Sequence, residues 1–195
     1  MPAKSKSENT VLRVWLLLHR VRDTLTLCED SVFGKYGLTM EQFGVLATVK
    51  GSGGSLRPSD LALLLERSPN SVSMLVDRMV KAGLVKRTRD RKDRRVVNVA
   101  LISKGENALR PAAPAGWELA QKILSPLSDK ELCVLADLLE AVKCECLAHL
   151  NPETDMAKIV KNSVTRRPDL YKEWNKTFPS SAQAKRRVAR RKKAS

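Results

Sequence analysis

The sequence has few aromatic residues, few histidines and no long apolar run. Phe, Trp and Tyr make up 4% of the 195 residues, which disfavours a β-sandwich or a β-barrel. With two histidines and no Ser/His/Asp set, phosphate-binding loop or paired-carboxylate motif, the sequence predicts no enzyme. The apolar segment from Val11 to Leu18 is interrupted by Arg13 and is too short to span a bilayer. We therefore predict a helical protein without a membrane-spanning segment.

Cysteine usage and the N-terminus indicate the compartment. The N-terminus lacks the apolar stretch and cleavage site of a secretory signal peptide, which predicts a cytoplasmic protein. Its four cysteines, Cys28, Cys133, Cys144 and Cys146, are then expected to be free thiols. On a helix only Cys146 and His149 share a face, so we predict no metal site and no cofactor. A peroxide-sensing thiolate stays an alternative, which requires exposure and nearby positive charge.

Basic residues greatly outnumber acidic ones, at 36 Lys and Arg against 21 Asp and Glu, for a net charge of +15. A polyanionic partner, and nucleic acid in particular, is therefore expected. Residues 152–195 carry 13 basic and 4 acidic side chains, which is +9 of the total. We predict that this basic C-terminal extension is partly disordered and that the run from Lys185 to Lys193 contacts phosphates. The alternative is a disordered end that never meets DNA.

Apolar residues recur in steps of three and four along two segments, which predicts two long amphipathic helices. Neither stripe is covered by a neighbouring predicted element, so a second chain is expected to cover them. We predict a flexible leader over residues 1–10 and a helical dimerisation region over residues 11–36 and 103–150. The stripes comprise Val11, Val14, Leu18, Val21, Leu25, Cys28 and Val32, and then Leu132, Leu135, Leu139, Val142, Cys146 and His149.

Helix-start motifs divide the rest of the chain. Sequences that fit a capping box begin at Thr39, Ser103 and Ser128, each with Glu or Gln three residues later. The helix after Ser103 contains Pro111 and Pro114, which predict a bend or a break. The glycine-rich residues 51–55 are predicted to form a flexible loop.

Residues 38–102 predict a winged helix. Two short helices begin at Pro58 and Pro69 and end near Arg67 and Gly83, which is typical of a helix-turn-helix. Alternating β-branched segments over 84–89 and 95–101 then predict a hairpin with a charged tip over 90–94. The predicted fold is mainly α with a small β-hairpin, a winged helix-turn-helix flanked by N- and C-terminal dimerisation helices.

The helix that begins at Pro69 has the character of a DNA recognition helix. Its apolar residues share one face, and small polar side chains near its N-terminus allow close entry into the major groove. A solvated polar face is the alternative. The candidate DNA contacts are Ser68, Pro69, Asn70, Ser71, Ser73, Met74, Asp77 and Arg78, with Lys81 on the same face.

Positive charge is dense on the predicted hairpin, and such charge repels itself unless phosphates neutralise it. Asp77 is expected to pair with one of these arginines and fix the wing against the recognition helix. For any single arginine the alternative is a solvated charge. The candidate wing residues are Lys86, Arg87, Arg89, Arg91, Lys92, Asp93, Arg94 and Arg95.

Three segments together resemble the MarR family of transcriptional regulators: Leu61–Ala62 with residues 71–85, Asp93 to Val97, and Leu101 to Gly105. The resemblance covers about residues 11–150, and it implies a homodimer that binds a pseudo-palindromic operator. It also implies that Arg95 or Arg94 enters the minor groove from the wing tip, with Asp93 shaping the turn. Ile102 and Ser103 either replace the family's usual Leu-Thr or add one residue to it, and residues after Pro152 have no counterpart in the compact family pattern.

We therefore predict a sequence-specific, double-stranded DNA-binding transcriptional regulator, a homodimeric repressor released by a small-molecule effector or another signal. An effector is expected between the dimerisation helices and the winged helix. One alternative is an architectural protein that coats DNA without an operator, and the other is a winged-helix module that binds protein or RNA. The candidate pocket walls, each also explicable as core, are Trp15, His19, Tyr36, Phe43 and Trp117.

Overall fold

The computed structural model describes residues 7–89 and 95–150. The predictions for Arg91, Lys92, Asp93, Arg94 and the extension 152–195 lie outside these residues. The helices are α1 (Glu8–Phe33), α2 (Met40–Gly51), α3 (Pro58–Leu64), α4 (Pro69–Lys81), α5 (Ser103–Leu124) and α6 (Asp129–Leu150), with a 3-10 turn at Gly34–Tyr36. The strands are β1 (Ser55–Leu56), β2 (Val85–Arg89) and β3 (Val97–Leu101). The fold is thus mainly α with a small sheet, as predicted.

The core lies between α2, α3, α4, the sheet and the first half of α5. Its side chains come from the apolar faces of these elements, and burial of this apolar area is what holds the winged helix together. The largest fully buried side chains are Leu46, Leu61, Met79, Leu109, Val45, Val49, Val72, Val76, Val85 and Val99.

The sheet has three antiparallel strands in the order β1-β3-β2, with Val85 opposite Leu101 and Arg89 opposite Val97. The prediction of a flexible loop over 51–55 was wrong at both ends, because Gly51 is the last residue of α2 and Ser55 begins β1 opposite Ala100. Gly53 and Gly54 have φ values of +87° and +89°, which turn the chain back toward β3 at little steric cost. The Leu101 N–H also donates to the Gly54 carbonyl at 3.1 Å.

Two of the three predicted capping boxes are confirmed. The Gln42 N–H donates to Thr39 Oγ1 at 3.2 Å and the Thr39 N–H donates to Gln42 Oε1 at 3.0 Å. At the start of α6, the Ser128 N–H donates to Glu131 Oε2 at 2.8 Å, and the Glu131 N–H donates to Ser128 Oγ at 3.4 Å. These reciprocal bonds satisfy N–H groups that would otherwise lack an intrahelical partner.

The capping box predicted at Ser103 is wrong. Ile102 is the N-cap residue of α5, without a side-chain bond to the helix, so Ser103 is already the first helical residue. The Glu106 carboxylate accepts a hydrogen bond from Lys50. This bond and the lysine's charge hold the pKa of Glu106 below its usual value of 4.5. The ion pair therefore ties α2 to α5 at neutral pH and is lost as the pH falls through the lowered pKa.

Helix α5 is not broken at its prolines, which both lie inside Ser103–Leu124. Each proline removes one backbone hydrogen bond. Ala112 and Ala113, between the two prolines, are buried against the core, and this packing keeps the segment helical where local propensity alone would interrupt it.

Helices α1 and α6 leave large apolar side chains uncovered. Helix α1 begins at Glu8, with Ser7 in the extended N-cap conformation. The flexible leader predicted over residues 1–10 was therefore wrong at its C-terminal end. In the described part of the chain α6 has no buried residue at all, and Leu138 is 60% exposed. Among the described residues, no helix is long and apolar enough to cross a membrane.

Candidate nucleic-acid interface

Helix α4 presents one face to the core and the opposite face to solvent. Val72, Leu75, Val76 and Met79 are buried, whereas Met74 on the opposite side is 68% exposed. Ser68 caps the helix, since its Oγ accepts from the Ser71 N–H at 3.2 Å. Pro69 has no N–H, and the Val72 N–H donates to the Ser68 carbonyl at 3.1 Å, so the Asn70 N–H and the positive end of the helix dipole are what the first turn offers a phosphate.

The wing is attached to α4 by an ion pair. Arg87 Nη2 on β2 lies 2.8 Å from Asp77 Oδ1 on α4, which confirms the predicted pairing of Asp77 with a wing arginine. The pair fixes the base of the hairpin relative to the helix. It also neutralises the negative charge of Asp77, which would otherwise repel a phosphate backbone.

Most basic side chains of the described part of the wing remain exposed. Lys86 and Arg89 project from β2, and Arg95 is exposed just before β3. Arg87 is directed to Asp77, so it acts on the position of the wing rather than as a free cation. The described wing residues and the outward face of α4 thus lie on connected elements, joined by the Asp77–Arg87 pair.

Ion pairs that no sequence pattern predicted hold the turn between α3 and α4. Arg67 Nη1 lies 2.6 Å from Glu41 Oε1 on α2, and Arg78 Nη2 lies 3.7 Å from Glu41 Oε2. Arg78, a predicted DNA contact, therefore has a carboxylate nearby. This places it at the edge of the candidate surface, next to α2.

A second unpredicted ion pair connects the same turn with α6. Lys143 Nζ lies 3.0 Å from Glu66 Oε1 and 3.4 Å from Glu140 Oε1. Glu66 has a φ of +52°, the one positive φ of a non-glycine residue in the described ranges, so its backbone is held in a conformation that costs free energy. The turn of the helix-turn-helix is thereby linked to the C-terminal helix.

The predicted pocket walls include one core residue, Phe43, and two exposed residues of α1, Trp15 and His19. Phe43 is buried and stacks on Phe33 with ring centroids 4.1 Å apart, whereas Trp15 packs edge-to-face on His19 at 5.0 Å along exposed α1. A groove of about 390 Å³ instead runs along α1. None of the predicted walls is among its described lining residues, which are Asn9, Leu12, Arg13, Leu16, Leu17 and Arg20.

The cysteines lie on two helices. Cys28 on α1 and Cys144 on α6 are partly exposed. Cys133, near the start of α6, and Cys146, near its end, are exposed. Within residues 7–89 and 95–150, no three His, Cys, Asp or Glu side chains are close enough to hold a metal ion.

Comparison with known proteins places this arrangement in a family. The model of the MarR family matches residues 36–96, from the end of the 3-10 turn to the residue before β3. The chain is 32% identical to the HTH-type transcriptional regulator PecS of Dickeya dadantii over 136 residues, which are 69% of this chain and 78% of PecS.

Two solved structures share the fold. The organohalide-sensing transcriptional regulator RdhR in its 2,4-dichlorophenol-bound form has a TM-score of 0.68 at 20% identity, covering 78% of this chain and 93% of its own. A mutant of MarR from E. coli in complex with operator DNA has a TM-score of 0.62 at 24% identity, covering 71% of this chain and 99% of its own. The winged helix, the two flanking helical segments and the match to PecS together show that this chain belongs to the MarR family of DNA-binding transcriptional regulators.

Proposed function

We propose that the protein binds a pseudo-palindromic operator as a homodimer, with one α4 in the major groove of each half-site. The observation that carries this proposal is the Asp77–Arg87 pair at 2.8 Å, because it makes the recognition helix and the wing one rigid surface. A preorganised surface binds DNA with higher affinity than two independent parts, since less conformational freedom is lost on binding. MarR of E. coli, which shares the fold, has been crystallised with operator DNA.

Dimerisation is supported by the uncovered apolar faces of α1 and α6. Leu135, Leu138, Leu139 and Val142 on α6 are all exposed in the single chain, and a contiguous apolar surface of this kind marks an interface. A two-fold axis would place the same side chains of both copies together. The proposed dimerisation region is residues 11–36 with 103–150, and residues 38–102 are the proposed DNA-binding unit.

We also propose that the dimer represses transcription and that an effector releases it from DNA. A dimer seated on an operator represses by occupying DNA, and an effector releases it by binding better to an arrangement that does not fit the operator. RdhR, of the same fold, has been crystallised with 2,4-dichlorophenol. The Lys143–Glu66 pair at 3.0 Å offers a route by which movement of α6 reaches the helix-turn-helix.

Replacing Arg95 with alanine is expected to weaken operator binding by about 1–3 kcal/mol in each half-site, because a wing arginine in the narrow minor groove is lost. Preference for A·T pairs at the flanking positions should fall with it. Arg22→Ala on α1, where Arg22 pairs with Asp23 at 2.8 Å, removes the same charge away from the winged helix and serves as the control. Fluorescence anisotropy titrations at several salt concentrations measure both variants, and equal affinities for the two would remove Arg95 from the interface.

Lys143 and Glu66 should be energetically coupled in DNA binding. In a cycle of Lys143→Gln, Glu66→Gln and the double variant, we expect an interaction free energy of about 0.5–1 kcal/mol in operator affinity. Neither side chain is fully exposed, so screening reduces the coupling without abolishing it. The double variant has the wild-type net charge, which separates coupling from the general effect of charge. If the changes in binding free energy of the two single variants add up to that of the double variant, the pair transmits nothing to the DNA-binding unit.

Selection of bound sequences from random duplex DNA tests the proposed function itself. We expect enrichment of one inverted repeat, bound at least about a thousandfold tighter than unrelated duplex at physiological salt. A specificity ratio near one would favour the architectural protein, and weak duplex binding by a folded dimer would favour the protein or RNA module. Asn70→Ala and Ser73→Ala should change which base pairs are enriched.

A further inference from the structure

The centre of the outward face of α4 is occupied by an apolar side chain. Met74 is the sixth residue of the helix and is 68% exposed, whereas Val72 and Val76, two residues on either side, are fully buried. One turn before Met74 lies Asn70 and one turn after it lies Arg78, so Met74 stands in the middle of the stripe that faces away from the core.

Three polar neighbours of Met74 are bonded within the protein. The Ser71 hydroxyl accepts from Ser68 Oγ at 3.0 Å, Asp77 accepts from Arg87, and Arg78 lies 3.7 Å from Glu41. Each of these groups would have to give up or share its bond to contact a base. The Met74 thioether has no such competing bond to break, because its methylene, sulfur and methyl groups interact by contact.

The chemistry of the major groove identifies what such a side chain selects. Among the base edges there, the 5-methyl group of thymine is the apolar feature, and apolar side chains contact it. Residues in the N-terminal part of a recognition helix reach base edges, whereas those further along contact the backbone. We propose that Met74 contacts a thymine methyl and thereby selects thymine at one position in each half-site. This inference rests on the proposed function and assigns a specificity-determining residue to it.

Removal of single methyl groups from DNA tests the proposal. In the duplex obtained by selection, each thymine is replaced in turn by deoxyuridine, which pairs identically and lacks only the methyl group. At one thymine position, which recurs in both half-sites, this replacement should lower the affinity of the full-length wild-type protein by about fourfold per half-site. That is the value expected for one buried methyl group. Met74→Ala should bind the thymine and deoxyuridine duplexes equally at that position.

Two further variants distinguish base contact from other roles. Met74→Leu keeps an apolar side chain and should retain most of the discrimination, while Met74→Gln should lose it. Because Met74 is exposed, none of the three changes should alter the circular dichroism spectrum or the melting temperature by more than about 1 °C. A loss of affinity in Met74→Ala that is the same for all duplexes would indicate a contact with the sugar-phosphate backbone and would overturn the proposal.

The outcome also separates this inference from the function on which it rests. If selection enriches a sequence but no thymine is sensitive to loss of its methyl group, or if Met74→Ala keeps the wild-type sensitivity, the assignment of Met74 is wrong and operator binding stands. If the wild-type protein enriches no sequence, the proposed function fails, and the methyl contact fails with it.

Discussion

Replacing Leu139 with aspartate is expected to leave the protein monomeric and unable to hold its operator. Leu139 is 46% exposed in the single chain and lies in the middle of the apolar face of α6. In a two-fold dimer the change places two carboxylates in one interface. Burying an unpaired charge costs about 3 kcal/mol or more, which raises the dissociation constant of the dimer by a factor of about a hundred.

Leu139→Met is the matched control, because it retains apolar volume and should dimerise normally. Light scattering over a range of concentrations measures assembly, and hydrogen exchange of α2 and α4 shows whether the winged helix is still folded in the aspartate variant. That unit has its own core, which includes Leu46, Leu61 and Met79. A wild-type protein that is monomeric and binds its operator with full affinity would contradict the role given to α6.

Gly105→Ala is expected to destabilise the protein severely. A Cβ at position 105 would lie 2.1 Å from the Leu84 carbonyl oxygen and 3.1 Å from Leu46 Cδ2. The first of these atoms belongs to the backbone between α4 and β2, so α5 or the hairpin would have to move. Overpacking of this kind costs about 3 kcal/mol, which corresponds to a melting temperature lower by about 10 °C.

Gly51→Ala provides the control for this change, since a Cβ at Gly51 meets nothing within 4 Å. Gly51 ends α2 and alanine has the higher helix propensity, so this variant should be as stable as the wild type or slightly more stable. Thermal unfolding followed by circular dichroism compares the two. Equal melting temperatures for the two variants would mean that α5 does not pack on the Leu84 backbone as described.

Local sequence signals predicted the parts of the fold that depend on residues close together in the chain. The capping boxes at Thr39 and Ser128 formed because both partners lie within one helical turn. The box at Ser103 did not form: Ile102 is the N-cap residue, and Glu106 is bonded to Lys50, which is 56 residues away in the sequence. A local motif cannot reveal such a distant partner.

The same limit explains the missed strand and the unbroken helix. β1 has two residues, too few to show alternation, and it exists because β3 provides hydrogen-bond partners. Pro111 and Pro114 predicted a bend or a break; the helix has no break between Ser103 and Leu124, because the burial of Ala112 and Ala113 depends on the tertiary packing of α5. In each case a long-range contact outweighed a local preference.

For the candidate site, residue type predicted helix α4 and the pair of Asp77 with a wing arginine, Arg87, ten residues further along the chain. The Lys143–Glu66 pair spans 77 positions, and no pattern in the sequence joins those two residues. The ion pairs of Glu41 with Arg67 and Arg78 were missed for a related reason. Charged residues on helix surfaces are common, and only the packing of α2 against the turn shows which of them meet.

The central claim is that two copies of this chain bind the two halves of one duplex. Its most direct test is the stoichiometry of the complex with the selected duplex, measured by native mass spectrometry together with a hydroxyl-radical footprint of both strands. We expect two chains per duplex and two symmetry-related protected segments whose centres are about 10 base pairs, or one helical turn, apart. One chain on a single protected segment, or a number of bound chains that grows with duplex length without a defined footprint, would contradict the account.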